Sequence, residues 1–150
     1  MTNSELASKL RDLRDFLIIA GYEESHAFRY TTIARYIEKM PEDVNLMRRE
    51  GRLKDIPGVG KLIQVYIKEI LEDGVSSKQI EWEKTAPITV LDLVRIPGLG
   101  AKTARTLFTE HGIYDLASLK LALDTGIIDS VYGVGPKLRL AIAEAVENLP

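Results

Sequence analysis

The chain has 150 residues, 45% of them hydrophobic, so it is long enough to bury a core as one domain or as two very small ones. With no cysteine and two histidines, it excludes disulfides and iron–sulfur clusters and has too few ligands for an ordinary zinc site. The net charge of −2, considered alone, argues against a nucleic-acid partner. No apolar run is long enough to cross a membrane, and residues 1–5 do not resemble a secretion signal, so we expect a cytoplasmic protein with no membrane partner.

The first half of the chain predicts a series of helices. Thr2 and Glu5 form a candidate capping box, and leucines then recur at helical spacing until Gly21. Pro41 ends the next helical pattern, and Gly51 and Gly74 end two later ones. The predicted helices after the first cover about 25–40, about 42–50, about 60–73 and about 76–82.

The second half repeats this organisation after Pro87. A short helix carrying Leu91 and Val94 is predicted, followed by three longer helices. No segment alternates with period two for long, so we predict an all-α fold. The apolar pattern lapses between about 80 and 88, and we place a hinge there, between a unit of residues 1–84 and a unit of residues 88–150.

One short phrase occurs three times, each time between two predicted helices. It is Ile-Pro-Gly-Val-Gly at 56–60, Ile-Pro-Gly-Leu-Gly at 96–100 and Val-Tyr-Gly-Val-Gly at 131–135. The glycines permit a sharp turn, and the amides that begin the next helix, with its dipole, favour a phosphate oxygen. This is the helix-hairpin-helix arrangement, and we expect its apolar residues to point inward: Ile56, Val59, Ile96, Leu99, Val131 and Val134.

Basic residues accompany the turns. The segment 95–109 carries Arg95, Lys102 and Arg105 and no acid, and the segment 131–143 carries Lys137 and Arg139 and no acid. Backbone contacts of this kind predict sequence-independent, salt-sensitive binding to duplex, gapped or nicked DNA, and hence a nucleoid-associated protein. Glycine turns also join helices in modules that never touch nucleic acid. The candidate DNA-backbone-binding residues are Gly58, Gly60, Lys61, Gly98, Gly100, Lys102, Thr103, Gly133, Gly135 and Lys137.

The order of these motifs resembles the amino-terminal region of bacterial family X (beta-like) DNA polymerases. The similarity is carried by residues 26–41, by 51–60, by 95–104 and by the third turn. It implies a four-helix domain like the 8-kilodalton amino-terminal domain of polymerase beta, followed by a tandem, SAM-like helix-hairpin-helix domain. It also implies DNA repair as the context. The palm that carries nucleotidyl transfer follows this region in the family, so we expect no polymerase chemistry from these 150 residues.

The resemblance also implies a 5′-phosphate pocket. The family's Schiff-base lysine, which removes a 5′-deoxyribose phosphate, falls at Tyr66, and a second phosphate-holding lysine falls at Leu62. A phenol cannot form an imine, so we expect no enzyme here. Lysines Lys61 and Lys68 leave open a lyase with a non-standard nucleophile. The candidate pocket residues are His26, Tyr30, Lys54, Tyr66 and Lys78.

No cofactor is expected to be required, but the family's hairpin carbonyls can hold Na⁺ or K⁺ against a DNA phosphate. By position these carbonyls belong to Lys54, Ile56 and Val59, and to Val94, Ile96 and Leu99.

Two further alternatives stand. The second turn also resembles the hairpin of bifunctional DNA glycosylases, whose catalytic lysine would be Lys102, but the aspartate that they need falls at Lys120. A protein-interaction module, recruiting a separate catalytic subunit or repair protein, would present an exposed apolar patch on the first two helices. Core packing is the interpretation that we prefer for these residues, which are Phe16, Ile18, Ile19 and Tyr22.

Overall fold

The computed structural model describes residues 1–149. That range contains α-helices, 3-10 segments and turns, and no strand, so the predicted all-α class is confirmed. The helices are α1 (Asn3–Ala20), α2 (Glu24–Lys39), α3 (Val44–Arg49), α4 (Lys61–Asp73), α5 (Ser77–Trp82), α6 (Ala101–His111), α7 (Leu116–Asp124) and α8 (Pro136–Val146).

Most of these helices begin and end where the sequence predicts. The Thr2 hydroxyl accepts the amide of Glu5 at the start of α1, which ends at Gly21 with a left-handed φ of 104°. The predicted helix around Leu91 is instead a 3-10 helix over Ile88–Arg95. Its buried residues are Val90, Leu91 and Leu93, and Ile96 follows as its C-cap. Val90, Leu93 and Ile96 are three residues apart, a spacing that places them on one face of a 3-10 helix.

Two apolar clusters form the core. The first joins α1, α2, α3 and α4, and the second joins the segment Ile88–Arg95, α6, α7 and α8. Helix α1 belongs to both, because Leu10 and Leu17 pack in the first cluster whereas Phe16 and Ile19 pack in the second.

This double role explains why α1 is more apolar than one buried stripe requires. Phe16, Ile18 and Ile19 are buried, so they do not form an exposed docking patch, and the interpretation as core packing is confirmed for them.

Contacts also cross the predicted hinge between about 80 and 88. Trp82 packs against both clusters. Beyond it, the guanidinium of Arg95 donates two hydrogen bonds, of 3.0 and 3.2 Å, to the carboxylate of Asp12 on α1. The second half of the chain is therefore held against α1 by packing and by an ion pair, and the division at this linker stays a prediction.

Candidate nucleic-acid interface

The three glycine turns share one backbone geometry. In each, the amide of the second apolar residue donates to the carbonyl of the first: Val59 to Ile56 at 3.1 Å, Leu99 to Ile96 at 3.0 Å, and Val134 to Val131 at 3.3 Å. The inward orientation predicted for the apolar residues is confirmed, since five are buried and Val134 is partly buried against the second cluster. The apolar residues anchor each turn, which leaves its glycines at the surface.

The two glycines of each turn have different roles. The first, Gly58, Gly98 or Gly133, has φ of 87°, 84° or 93°, a left-handed conformation that side chains rarely adopt. The second is the N-cap of the following helix and has φ near −90°, which any residue adopts; a Cβ there would meet no described atom within 4 Å. The fold itself therefore requires the first glycine, whereas the second leaves the helix start open to a bulky ligand.

The helices after the turns also begin without a side-chain cap. Within the described residues, Gly60, Gly100 and Gly135 offer no side-chain acceptor to α4, α6 and α8. Four of the other helices, α1, α3, α5 and α7, begin with side-chain oxygens that accept a first-turn amide, whereas α2 also lacks such a cap; the oxygens belong to Thr2, Asp43, Ser76 and Asp115. The first-turn amides of α4 and α6 are thus available to an anion, as are those of α8 after Pro136, which has no N–H, and the helix dipole also favours an anion there.

The lysines that follow the turns do not share one register. Lys102 and Lys137 are the second residues of α6 and α8, and both are exposed. Lys61 is the first residue of α4, and the second is Leu62, which is 68% exposed. Because successive helical residues point in different directions, the first turn presents an apolar side chain where the other two present a cation.

Acids from other segments approach these cations, which the linear sequence does not reveal. Glu24 at the start of α2 lies 3.3 Å from the ammonium of Lys102. Asp129 accepts from Arg139 at 2.6 Å, and Asp12 pairs with Arg95 as described above. The segments of the second and third turns contain no acid in sequence, but the expectation that no acid lies near them in the folded chain is wrong. The Lys102–Glu24 and Arg139–Asp129 pairs reach solvent and are weak, so a phosphate can displace their carboxylates. The Arg95–Asp12 pair, with its two hydrogen bonds, instead helps to hold the second half of the chain against α1.

The second and third turns pack against each other. A Cβ on Gly98 would lie 3.9 Å from a methyl of Leu138, and one on Gly133 would lie 3.6 Å from the hydroxyl of Thr103. Thr103 is accordingly half-buried against the third turn. An open cleft of about 510 Å³ is lined by Pro97 and Gly98 from one turn and by residues 135–138 from the other. The start of α8 therefore opens onto a cleft that the second turn also lines.

The candidate pocket of the first unit is an aromatic cluster. The Lys78 ammonium lies 4.5 Å from the ring centroid of Tyr22, whose ring meets those of Trp82 and His26 edge-on at 5.2 and 6.2 Å. Tyr22 and Trp82 were missed as pocket residues. Trp82 lies four positions after Lys78 on α5, a helical spacing that points to it, whereas Tyr22 precedes α2 and no such spacing marks it.

The other predicted pocket residues differ in exposure. Tyr30 is only 3% exposed, and burial first, then the neighbouring phenols of Tyr22 and Tyr66, raise the pKa of its phenol. Tyr66 is half-buried against the first cluster, whereas Lys54 is exposed on the 3-10 turn before the hairpin. Tyr30 thus forms a buried wall of the cluster, not an open contact surface.

The hairpin carbonyls are compatible with a monovalent cation. Ile56 and Ile96 each accept one turn hydrogen bond, which leaves a second lone pair on each carbonyl oxygen. Neutral oxygens of this kind suit hard cations. Residues 1–149 contain no group of three His, Asp or Glu side chains that could hold a metal ion.

Comparisons with known proteins agree with this geometry. Residues 90–138 match the protein family described as a SAM-like helix-hairpin-helix tandem. The chain is 25% identical over 137 residues to the DNA polymerase/3′-5′ exonuclease PolX of Bacillus subtilis (strain 168), a match that covers 91% of this chain and 24% of that protein. It is 31% identical over 99 residues to DNA polymerase lambda of Arabidopsis thaliana, covering 65% of this chain and 18% of that protein.

Residues 90–138 therefore form a SAM-like tandem helix-hairpin-helix domain, as the sequence predicts. The chain as a whole is homologous to the amino-terminal region of family X DNA polymerases, so the predicted resemblance is confirmed. The chain spans about a quarter or less of the length of the curated relatives that it matches. Across the described part of the chain, none of the helices is both long and apolar enough to span a bilayer.

Proposed function

We propose that this chain binds DNA in a repair-related setting by holding the sugar–phosphate backbone at its second and third turns. The observation that carries this proposal is the pair of open helix starts at Gly100 and Gly135. Each combines an uncapped helix, a glycine that the fold does not require, and an exposed lysine two positions after that glycine. The start of α8 lines a cleft together with Pro97 and Gly98 of the second turn, so the two helix starts belong to neighbouring turns.

Amide and lysine contacts to phosphate carry no base information, so binding is sequence-independent. It is also salt-dependent, because each neutralised phosphate releases counterions. If about three to five phosphates are neutralised, the slope of log affinity against log salt for duplex DNA is roughly −3 to −4.5. Na⁺ or K⁺ on the carbonyls of Ile56 and Ile96 would add a further bridge to phosphate.

The first turn is proposed to play a lesser part in holding DNA. Lys61 supports a phosphate contact there, but Leu62 is exposed, and Phe28 and Val65 are half or nearly half exposed in the same unit. Leu62 and Val65 are three residues apart and so share one face of α4. This apolar face favours a second candidate function, the docking of a separate catalytic subunit or repair protein.

We further propose that the aromatic cluster has no lyase activity. The imine-forming position is Tyr66, and Lys61 and Lys68 lie on α4 at other angular positions. Borohydride trapping on a 5′-deoxyribose-phosphate substrate tests this directly. We expect no covalent adduct; an adduct that disappears in Lys68→Ala or Lys61→Ala would establish a lyase with a non-standard nucleophile.

The proposed function is tested by measuring affinity for single-stranded, intact duplex and 5′-phosphorylated gapped DNA over a range of salt concentrations. For each kind of DNA, duplex or gapped, we expect probes of unrelated sequence to bind with equal affinity. The slope of log affinity against log salt should have the value given above. Absence of DNA binding at low salt, or binding that does not weaken with salt, would overturn the proposal.

A further inference from the structure

The third turn carries an aromatic residue that the fold does not use. The side chain of Tyr132 is 92% exposed, the highest value among the exposed large hydrophobic side chains of the described residues. The first two turns have Pro57 and Pro97 at the same position. Since an exposed ring contributes almost nothing to the core, its place on this turn points to a role outside the fold.

The backbone on both sides of Tyr132 is fixed. Val131 is buried in the second cluster, and its carbonyl accepts the amide of Val134 at 3.3 Å. Gly133, with its left-handed φ of 93°, packs next to the hydroxyl of Thr103. The ring is therefore presented from a well-anchored turn, which reduces the entropy that it loses on binding.

Tyr132 also lies beside the proposed phosphate site. The N-cap of α8, Gly135, follows three residues later, and Lys137 follows two residues after that. The ring and the proposed phosphate site therefore belong to the same turn. The surface that a nucleotide held there offers to an aromatic ring is its planar base.

Stacking needs a base with an open face. Inside an intact duplex both faces of every base are covered by neighbouring pairs, so a ring on the backbone side finds no surface without unstacking the helix. At a gap, at a nick or at a frayed end, one face is open, and aromatic stacking on it is favourable and tolerant of sequence.

We propose that Tyr132 stacks on the exposed face of a terminal or unpaired base next to the phosphate held by the third turn. The chain then prefers interrupted duplex DNA to intact duplex DNA. This inference rests on the proposed function, because the phosphate contact brings the base to the ring. It adds to the proposed function a preference for one DNA structure, the interrupted duplex, which phosphate contacts alone do not select.

The test compares wild type, Tyr132→Phe and Tyr132→Ala on two probes of one sequence at one salt concentration. One probe is an intact, covalently closed circular duplex, which has no terminal base, and the other is the same circle with a one-nucleotide gap. We expect wild type and Tyr132→Phe to favour the gapped probe. We expect Tyr132→Ala to lose roughly tenfold on the gapped probe and to bind intact duplex within about twofold of wild type. A 2-aminopurine at the gap margin should be quenched by wild type and by Tyr132→Phe but not by Tyr132→Ala.

Several results would overturn the inference. An equal loss of affinity of Tyr132→Ala for both probes would place the ring against the backbone or in a groove. No loss of affinity for either probe would show that the ring does not contact DNA. Loss in Tyr132→Phe equal to that in Tyr132→Ala would assign the effect to the hydroxyl. If neither probe binds to wild type, both the proposed function and this inference fail; if Tyr132→Ala binds both probes as wild type does, the inference alone fails.

Discussion

The carboxylate of Glu24 lies 3.3 Å from the ammonium of Lys102, a contact between the start of α2 and the start of α6. It places a competing anion on one of the two lysines assigned to phosphate. Both side chains reach solvent, so the pair is worth about 0–1 kcal/mol and a phosphate can replace the carboxylate.

Removal of this competitor is expected to strengthen DNA binding. Glu24→Gln frees Lys102, and we expect duplex affinity at low salt to rise by up to about fivefold, the equivalent of about 1 kcal/mol. The matched control is Glu23→Gln, which makes the same change in net charge one residue away, at a carboxylate that lies 3.7 Å from His26. Equal gains in both variants, measured by fluorescence anisotropy, would show that only the overall charge matters.

Serine at the second glycine of a turn is expected to separate stability from binding. In Gly100→Ser and Gly135→Ser the new hydroxyl can accept a first-turn amide, so thermal stability should stay the same or rise by about a few tenths of a kcal/mol. DNA affinity should fall, because the amides are then satisfied and a side chain occupies the open space.

The control for these variants is the first glycine of the same turn. Gly98→Ser places a side chain at φ 84° and should cost about 1–2 kcal/mol of stability. Melting temperature and duplex affinity measured on all three variants check the assignment. If Gly100→Ser and Gly135→Ser keep full affinity, the open helix starts are not the contact surface.

Helix α1 is expected to couple the two clusters. Phe16 is fully buried in the second cluster, and Phe16→Ala should cost about 3–5 kcal/mol. Hydrogen exchange should accelerate most in α6 and in the segment Ile88–Arg95. Leu10→Ala, the control in the first cluster, should accelerate exchange mainly in α2. The same exchange pattern in both variants would contradict the separate roles of the two faces of α1.

The buried phenol of Tyr30 is expected to make the free energy of unfolding fall at alkaline pH. Its pKa is raised above the ordinary value of 10.0, chiefly by burial, so the folded state keeps the proton longer than the unfolded state does. The contribution is fully present below about pH 10 and is lost as the pH rises above it. Tyr30→Phe should therefore lose less unfolding free energy between pH 9 and about pH 11 in urea titrations. Parallel curves for the two proteins would contradict a raised pKa.

The sequence predicts local structure well where the determinant is local. The stops at Gly21 and Gly74, the cap at Thr2 and the three anchored turns follow from one or a few neighbouring residues. The 3-10 form of Ile88–Arg95 could not be predicted from Leu91 and Val94, because a spacing of three residues occurs on one face of both an α-helix and a 3-10 helix.

Contacts between segments that are far apart in the chain could not be predicted from the sequence. The partners Asp12 and Arg95 are 83 residues apart, and nothing local links Glu24 to Lys102. The excess of apolar residues on α1 suggested either a docking patch or core packing, and only the second cluster explains it. The two roles within each pair of glycines likewise depend on φ and on the space around the backbone, which sequence spacing does not provide.

Charge reversal at the two turn lysines is the most direct test of DNA binding by these turns. Lys102→Glu/Lys137→Glu is compared with Lys9→Glu/Lys39→Glu, which changes the net charge equally at exposed lysines of α1 and α2. Duplex affinity is measured against salt. The turn variant should bind DNA more weakly than the control. Its negative slope of log affinity against log salt should become shallower by about two, since each lost phosphate contact removes roughly 0.9 from the magnitude of the slope. Equal losses of affinity and slope in the two variants would contradict backbone binding at the second and third turns.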